Sequence, residues 1–304
     1  MLHASIDVGT NTVRLLIAET EGPAIKPLVL RRSITRLGGG FSAAGISAEA
    51  ADRTVQALGE FAAELRRQPV DRLRAVATSA VRDASNGAAF CTRVLEETGI
   101  GLEVIGGEEE AVLTLKGALA GVGASGGDFL VFDIGGGSTE FTLSRGEEVL
   151  FARSLPLGVV RLTEGKAEVA GMVEKVRREL AVLPGALSAA GRSIPPGATL
   201  IGTAGTVTTL AAVDMAMTDY DYRKVNGHRL GYDDVRTIYD RLLPLSAPQR
   251  LQVPGLEKGR EDLIIAGIIV VLATMELFGF RHLTVSDFGL LEGVLVDLVQ
   301  GSGR

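Results

Sequence analysis

Two short apolar runs in this chain each end in an aspartate, followed by a glycine turn and hydroxyl or amide side chains. The first is Ser5-Ile6-Asp7-Val8-Gly9-Thr10-Asn11-Thr12, and the second is Val131-Phe132-Asp133-Ile134-Gly135-Gly136-Gly137-Ser138-Thr139-Glu140. An apolar stretch follows each, so each predicts a β-hairpin with a glycine-rich tip. The repeat of strand, aspartate, glycine turn and hairpin suggests a duplicated fold. Glycine lets the backbone approach a ligand closely, and successive N–H groups in such turns form anion-binding nests. Ser138, Thr10, Asn11 and Thr12 add side-chain donors and acceptors. Ionised Asp7 and Asp133 are acceptor-only and suit a hard, oxygen-seeking cation such as Mg²⁺. Ordinary hairpin turns use the same residue types, so the first turn alone decides nothing. Three consecutive glycines, Gly135 to Gly137, sacrifice stability without local need, and that favours a ligand.

A chain of 304 residues fits two domains better than one. With 46% hydrophobic and 22% charged residues it should fold compactly. The net charge of −6 and the lack of a Lys/Arg run argue against nucleic-acid binding, but a small polyanion can still be held by a few cations and N–H dipoles. One cysteine, Cys91, allows no intrachain disulfide; a cytoplasmic location is the simplest expectation, and Cys91 itself is expected to be a buried apolar residue. The first residues lack a basic region and a hydrophobic core, so no signal peptide is expected. The longest apolar run, Leu263 to Ala273, is too short to span a bilayer and reads as a buried helix.

Strand-like stretches at 4–8, 12–19, 27–34 and 73–78 are interleaved with an amphipathic helix at 47–67 and helical segments at 86–98 and 108–121. A second unit begins at the strand 129–133, with strands at 139–144, 147–155, 198–202 and 282–286. Its helices are predicted at 167–183, 206–215, 232–243, 259–278 and 289–299. Strands alternating with helices indicate an α/β class.

Three further segments can carry chemistry. Gly106-Gly107-Glu108-Glu109-Glu110-Ala111 is either a helix first turn, where carboxylates complement the dipole, or the source of a general base for an attacking water. Glu140 is a second acid beside the glycine turn. Ala77-Thr78-Ser79-Ala80-Val81-Arg82 ends a strand in hydroxyls and an arginine whose fork can bind phosphate. Gly202-Thr203-Ala204-Gly205-Thr206 is a strand–turn–helix junction that offers N–H groups to an anion, although it is neither a Walker A loop nor a dinucleotide turn. His3, His228 and His282 lack metal-ligand spacing. Arg223, Lys224, His228 and Arg229 form one local basic patch, Lys258 and Arg260 another.

Taken in order, these motifs, with Asp287-Phe288-Gly289-Leu290-Leu291-Glu292-Gly293, resemble the exopolyphosphatase/guanosine pentaphosphate phosphohydrolase (Ppx/GppA) family over nearly the whole chain. The resemblance implies two ribonuclease-H-like domains of the actin/Hsp70/sugar-kinase superfamily around a central cleft. It sets 1–122 plus 288–304 as the first domain and 123–287 as the second, with the last helix crossing back onto the first. It implies phosphate loops at Gly9, Thr10, Asn11 and Thr12 and at Gly135, Gly136, Gly137 and Ser138, with Gly205 and Thr206 as further phosphate contacts. Glu110 would be the catalytic base with Glu109 as fallback, Glu140 the second acid, Arg82 a phosphate-directed arginine, and Asp7, Asp133 and Glu140 the Mg²⁺ ligands. The expected reaction is removal of the terminal phosphate from inorganic polyphosphate, with guanosine penta- or tetraphosphate as the alternative substrate and a homodimer among the expected partners. A sugar- or carboxylate-kinase-like phosphotransferase and a non-enzymatic ligand sensor are the competing classes.

Overall fold

A computed structural model of the protein describes residues 1–21, 24–39, 45–165 and 168–301. The chain divides into two compact units, Met1–Gly117 with the chain from Leu290 on, and Ala118–Gly289.

The first unit opens with β1 (Leu2–Val8), β2 (Thr12–Glu21) and β3 (Ala24–Ile34), followed by α1 (Ala48–Arg67), β4 (Arg72–Ala77), α2 (Ser79–Arg82), α3 (Gly87–Thr98), β5 (Glu103–Val104) and α4 (Gly107–Val122). Its sheet has the order β3-β2-β1-β4-β5. β1 pairs antiparallel with β2 and parallel with β4, and β4 pairs parallel with β5. The periodicity of α1 is realised: Val55, Leu58, Phe61 and Ala62 are buried against Ile6, Leu15 and Phe90 in one core. Ser47 caps α1 through a hydrogen bond from Ala50 N. Cys91 is only half-buried at the edge of this core, because it lies on the rim of α3.

The second unit runs β6 (Asp128–Ile134), β7 (Thr139–Arg145), β8 (Glu148–Leu155), α5 (Val159–Gly165), α6 (Val169–Leu180), α7 (Val182–Ala189), β9 (Thr199–Thr203) and α8 (Ala204–Asp214). It continues through α9 (Tyr222–Val225), β10 (Arg229–Gly231), α10 (Tyr232–Leu242), α11 (Ala247–Arg250), α12 (Ile264–Phe278) and β11 (His282–Val285). Its sheet order is β10-β11-β9-β6-β7-β8. Read from the other edge, β8-β7-β6-β9-β11 repeats the order and the strand directions of the first unit. Both units therefore carry the ribonuclease-H-like α/β arrangement. The segment predicted as one helix at 167–183 is two, broken at Ala181 ahead of Pro184, which lacks the N–H a continuous helix would need. α12 is apolar on every side and almost wholly buried, as its sequence requires. None of the described helices is long and apolar enough to cross a membrane.

The final helix, α13 (Leu290–Gln300), belongs to the first unit. Ser5 Oγ donates to Leu291 O at 2.7 Å, and Leu291 and Leu295 pack on Leu16 and Ala18. A Cβ at Gly293 would overlap the carbonyl of Leu113, so the two helices touch backbone to backbone there. Gly293→Ala should lower stability by about 1–3 kcal/mol through overpacking, whereas Gly59→Ala, in open space on α1, should raise it by about 0.5–1 kcal/mol. Urea midpoints of the two variants check both signs.

His3, at the start of β1, is buried and shares a 2.7 Å hydrogen bond between Nδ1 and Thr20 Oγ1, while its Nε2 has no partner. Burial lowers its pKa, helped by the N-terminal ammonium and Arg72 and opposed by Asp71. Below the unfolded value of about 6.5 the unfolded chain binds the extra proton, so stability should fall as pH drops from about 7 to 5. His3→Gln should flatten that slope in urea melts; an unchanged slope would assign the acid sensitivity elsewhere.

Candidate active site

In the first unit the parallel strands β1, β4 and β5 end side by side. Thr78 N donates to Val8 O at 3.2 Å, and Ile105 N donates to Ala77 O at 3.0 Å. Their carboxyl ends, where open α/β sheets bind ligands, lead into the Gly9 turn, α2 and α4 respectively.

The Gly9 turn closes with Gly9 N on Thr12 O at 3.0 Å, and the segment after β3 locks it from outside through Thr35 N and Arg36 N on Asn11 O and Gly38 N on Thr10 O. The Thr10 hydroxyl meets the Ser79 hydroxyl at 3.0 Å, joining the turn to α2. Asp7 is buried, and the register sets it opposite Arg14. Arg14 Nε and Nη2 donate to Asp7 Oδ2 at 3.1 and 2.7 Å. Asp7 Oδ1 and both polar atoms of Asn11 are buried without a protein partner. Each such group lacks the hydrogen bonds that burial demands, at about 1–3 kcal/mol apiece, which a bound ligand or ion would restore.

Arg82 leaves the short helix α2 toward α4. Its Nη1 donates to Ile105 O at 3.0 Å and to Glu110 Oε2 at 3.2 Å, while Nη2 has no partner among the described residues. Glu110 is buried in the first turn of α4. Glu109 points elsewhere, to Arg74 at 2.8 Å, in a cluster where Arg74 also binds Glu103 at 2.9 and 3.0 Å and Asp297 at 2.9 Å. The hydrogen-bonded Glu103 and Glu109 raise the Arg74 pKa further, so this cluster is a fixed ionic tie between β4, α4 and α13. The consecutive acids thus have separate surroundings: Glu110 sits with Arg82, and Glu109 belongs to the tie.

In the second unit Gly135 N donates to Ser138 O at 3.0 Å, the same closure as at Gly9. Asp133 faces Glu140 across β6 and β7, as Asp7 faces Arg14 across β1 and β2. Glu140 is buried, not solvated, and Ser154 Oγ donates to its Oε1 at 2.7 Å. The start of α5 packs on the glycine loop: Val159 N donates to Gly135 O, and Val160 N and Arg161 N to Gly136 O, at 2.9–3.2 Å. A Cβ at Gly158 would overlap the backbone of Gly136 and Gly137, so only glycine fits. At the end of β9, Thr203 Oγ1 donates to Phe288 O at 2.9 Å, and Ala204 adopts φ 67°, a strained value for a residue with a side chain. The guanidinium of Arg260 fills the place a side chain at Gly205 would take, and Thr206 is buried under Gly267 of α12.

Among the described residues no three Asp, Glu, His or Cys side chains gather into a ready metal cluster. The buried, unpartnered Asp7 Oδ1 nevertheless suits a cation such as Mg²⁺, which takes one or two carboxylates and fills its remaining positions with water and phosphate oxygens.

Arg14, Gly158 and Arg161 are not singled out by the sequence as site residues, and Arg260 is singled out only as part of a local basic patch. Arg14 was recoverable, because closing the turn at Gly9–Thr12 fixes its register opposite Asp7. The approach of Arg260 to Gly205 was not, since it depends on how the segment ahead of α12 packs.

Known proteins resemble this chain in sequence and in fold. The description of the Ppx/GppA phosphatase family matches residues 16–301. Exopolyphosphatase 2 of Mycobacterium tuberculosis is 38% identical over 312 residues, covering 97% of this chain and 98% of that protein. The crystal structure of the Aquifex aeolicus Ppx/GppA family member superposes with a TM-score of 0.84 at 33% identity, over 100% of this chain and 99% of that one. An exopolyphosphatase structure from Cytophaga hutchinsonii gives 0.88 at 29% identity, over 99% and 98%. Fold, sequence and relatives together define an enzyme that hydrolyses phosphoanhydrides. The chain belongs to the Ppx/GppA phosphatase family.

Gly158→Ala should push Gly136 and Gly137 out of place and reduce phosphate release at least tenfold, mainly through KM, while the melting temperature moves little compared with Gly293→Ala. Steady-state kinetics with a parallel thermal melt would check this.

Proposed function

We propose that the protein is an exopolyphosphatase that uses Mg²⁺ to release orthophosphate from the end of inorganic polyphosphate. The observation that carries this reading is the buried Glu110 held beside Arg82, next to a turn whose Asp7 and Asn11 atoms lack partners. That set has an acid to take a proton, a guanidinium edge for phosphate, and polar atoms that burial leaves unsatisfied. The exopolyphosphatase name of the Mycobacterium tuberculosis relative supports the choice of substrate.

The terminal phosphoryl group rests against the Gly9–Thr12 turn and the Thr10 and Ser79 hydroxyls, with Arg82 Nη2 on one of its oxygens. Glu110 accepts a proton from the attacking water as the water oxygen bonds to the terminal phosphorus. The bond from that phosphorus to the bridging oxygen breaks, and the electrons stay on the shortened chain. In the second unit the N–H groups of Gly135 to Ser138, the Gly205–Thr206 turn and Arg260 are anion-binding groups in their own right. Asp7, through Oδ1, would be a ligand for Mg²⁺ in the first unit, and Asp133 and Glu140 are the carboxylates that would serve in the second; a bound ion would neutralise phosphate oxygens.

Purified protein incubated with Mg²⁺ and long-chain polyphosphate, tripolyphosphate or guanosine pentaphosphate should release phosphate fastest from polyphosphate. Preference for the guanosine compound would replace the substrate, and no release from any would reject the reading. Glu110→Gln should lower turnover by roughly 10²–10⁴-fold with KM nearly kept, whereas Glu109→Gln stays within a few-fold of wild type. Equal losses in the two variants would contradict the assignment of the base.

A further inference from the structure

The second unit has another concave, cationic site, at the end of its sheet away from the glycine turns. A cavity of about 670 Å³ there is lined by Thr199, Arg229, Phe278, Phe280, Arg281 and His282, among others. Its size lies within the range of small-molecule sites. β9 and β11 run parallel and in register, so Thr199 and His282 begin the strands whose other ends lead to Gly205 and Asp287. At about 3.3 Å per residue, roughly 13 Å of strand separates this cavity from the Thr203 turn.

The pleat explains why polar groups collect there. Thr284 pairs with Arg229 on one side and with Ile201 on the other, so Arg229, His282, Thr284 and Thr199 share one face of the sheet. The alternating Leu200, Leu230, Leu283 and Val285 turn to the opposite face and are buried in the core. Arg281 adds its charge from the turn after α12, and the half-buried rings of Phe278 and Phe280 contribute apolar wall.

The charges in this cavity are uncompensated. Arg229, Arg281 and His282 are exposed, and their side chains make no hydrogen bond or ion pair with any described residue. Elsewhere Arg14, Arg74, Arg93, Arg145, Arg223 and Arg236 each lie against a carboxylate. In a chain of net charge −6, two unpaired guanidinium forks in one concavity make a local positive field aimed at solvent, and the His282 imidazole beside them is a further hydrogen-bonding group. Guanidinium forks match phosphate bidentately.

We propose that this cavity is a second binding site, separate from the hydrolytic centre, for a small anion carrying at least two phosphate groups. The anion is either an inorganic oligophosphate or a nucleotide, whose base would lie against Phe278 and Phe280.

The test is calorimetric titration of the full chain with methylenediphosphonate, in which a CH₂ replaces the hydrolysable bridging oxygen. Wild type should show two classes of site. R229A/R281A should lose one class, with at least a tenfold fall in its affinity and an unchanged melting temperature, and R229K/R281K should recover part of it. Arg82→Ala should weaken the other class only. α,β-Methylene-ADP binding the second class more tightly than methylenediphosphonate identifies a nucleotide as the ligand; equal or weaker binding identifies an inorganic oligophosphate. A single class in wild type, or identical isotherms for wild type and R229A/R281A, would overturn the proposal. The readout is binding, so it stands or falls independently of which phosphoanhydride the enzyme cleaves.

Discussion

The parallel pairing of β1 with β4 is the constraint on which the rest of the candidate active site depends. Because the two strands run together from His3–Arg72 to Val8–Ala77, their carboxyl ends arrive at the same level. The turn after Asp7 and the helix after Thr78 then lie within one hydrogen bond of each other, through Thr10 and Ser79. β5 extends the row, and its end delivers α4 with Glu110 in its first turn. An antiparallel β4 would send Arg82 to the opposite end of the sheet. The groups that meet here come from residues 7, 10, 79, 82 and 110, and only the strand order makes them neighbours.

The second unit solves the same problem with the same topology and different side chains. Its aspartate turn closes identically, but a carboxylate, Glu140, stands where the first unit has Arg14. Its β9 turn is followed by a long helix, α8, where the first unit has the single turn of α2. The short α2 is what lets Arg82 reach Glu110. In α8 the corresponding role near the turn falls to Arg260, brought in from a distant segment. The two units thus share a closed aspartate turn, and the first adds a buried acid–guanidinium pair on the helices beside its turn.

Much of this was legible in the sequence. The α/β class, both hairpins, the amphipathic α1 and the buried α12 follow from periodicity and turn residues. The site motifs were visible because glycine turns and terminal hydroxyls are locally encoded. The partners of the charges were not. Glu108, Glu109 and Glu110 are indistinguishable by type, yet helix rotation sends Glu109 to Arg74 and Glu110 to Arg82. Glu140 was visible as a second acid beside the glycine turn, but its burial was not, since that depends on β8, which supplies Ser154 beside it. Short elements such as α2, α9 and β10 left too few residues to show a period. The cationic cavity was half seen: Arg229 stood out in a basic patch, but its association with Arg281 and His282 depends on β10–β11 pairing.

The arrangement is most directly tested by a crystal structure of the Glu110→Gln variant soaked with tripolyphosphate and Mg²⁺. The terminal phosphate should lie on the Gly9–Thr12 turn within hydrogen-bond distance of the Thr10 or Ser79 hydroxyl and of Arg82 Nη2, with electron density for a cation on Asp7 Oδ1. A phosphate bound away from this turn, with Arg82 untouched and Asp7 Oδ1 and Asn11 still without partners, would contradict it.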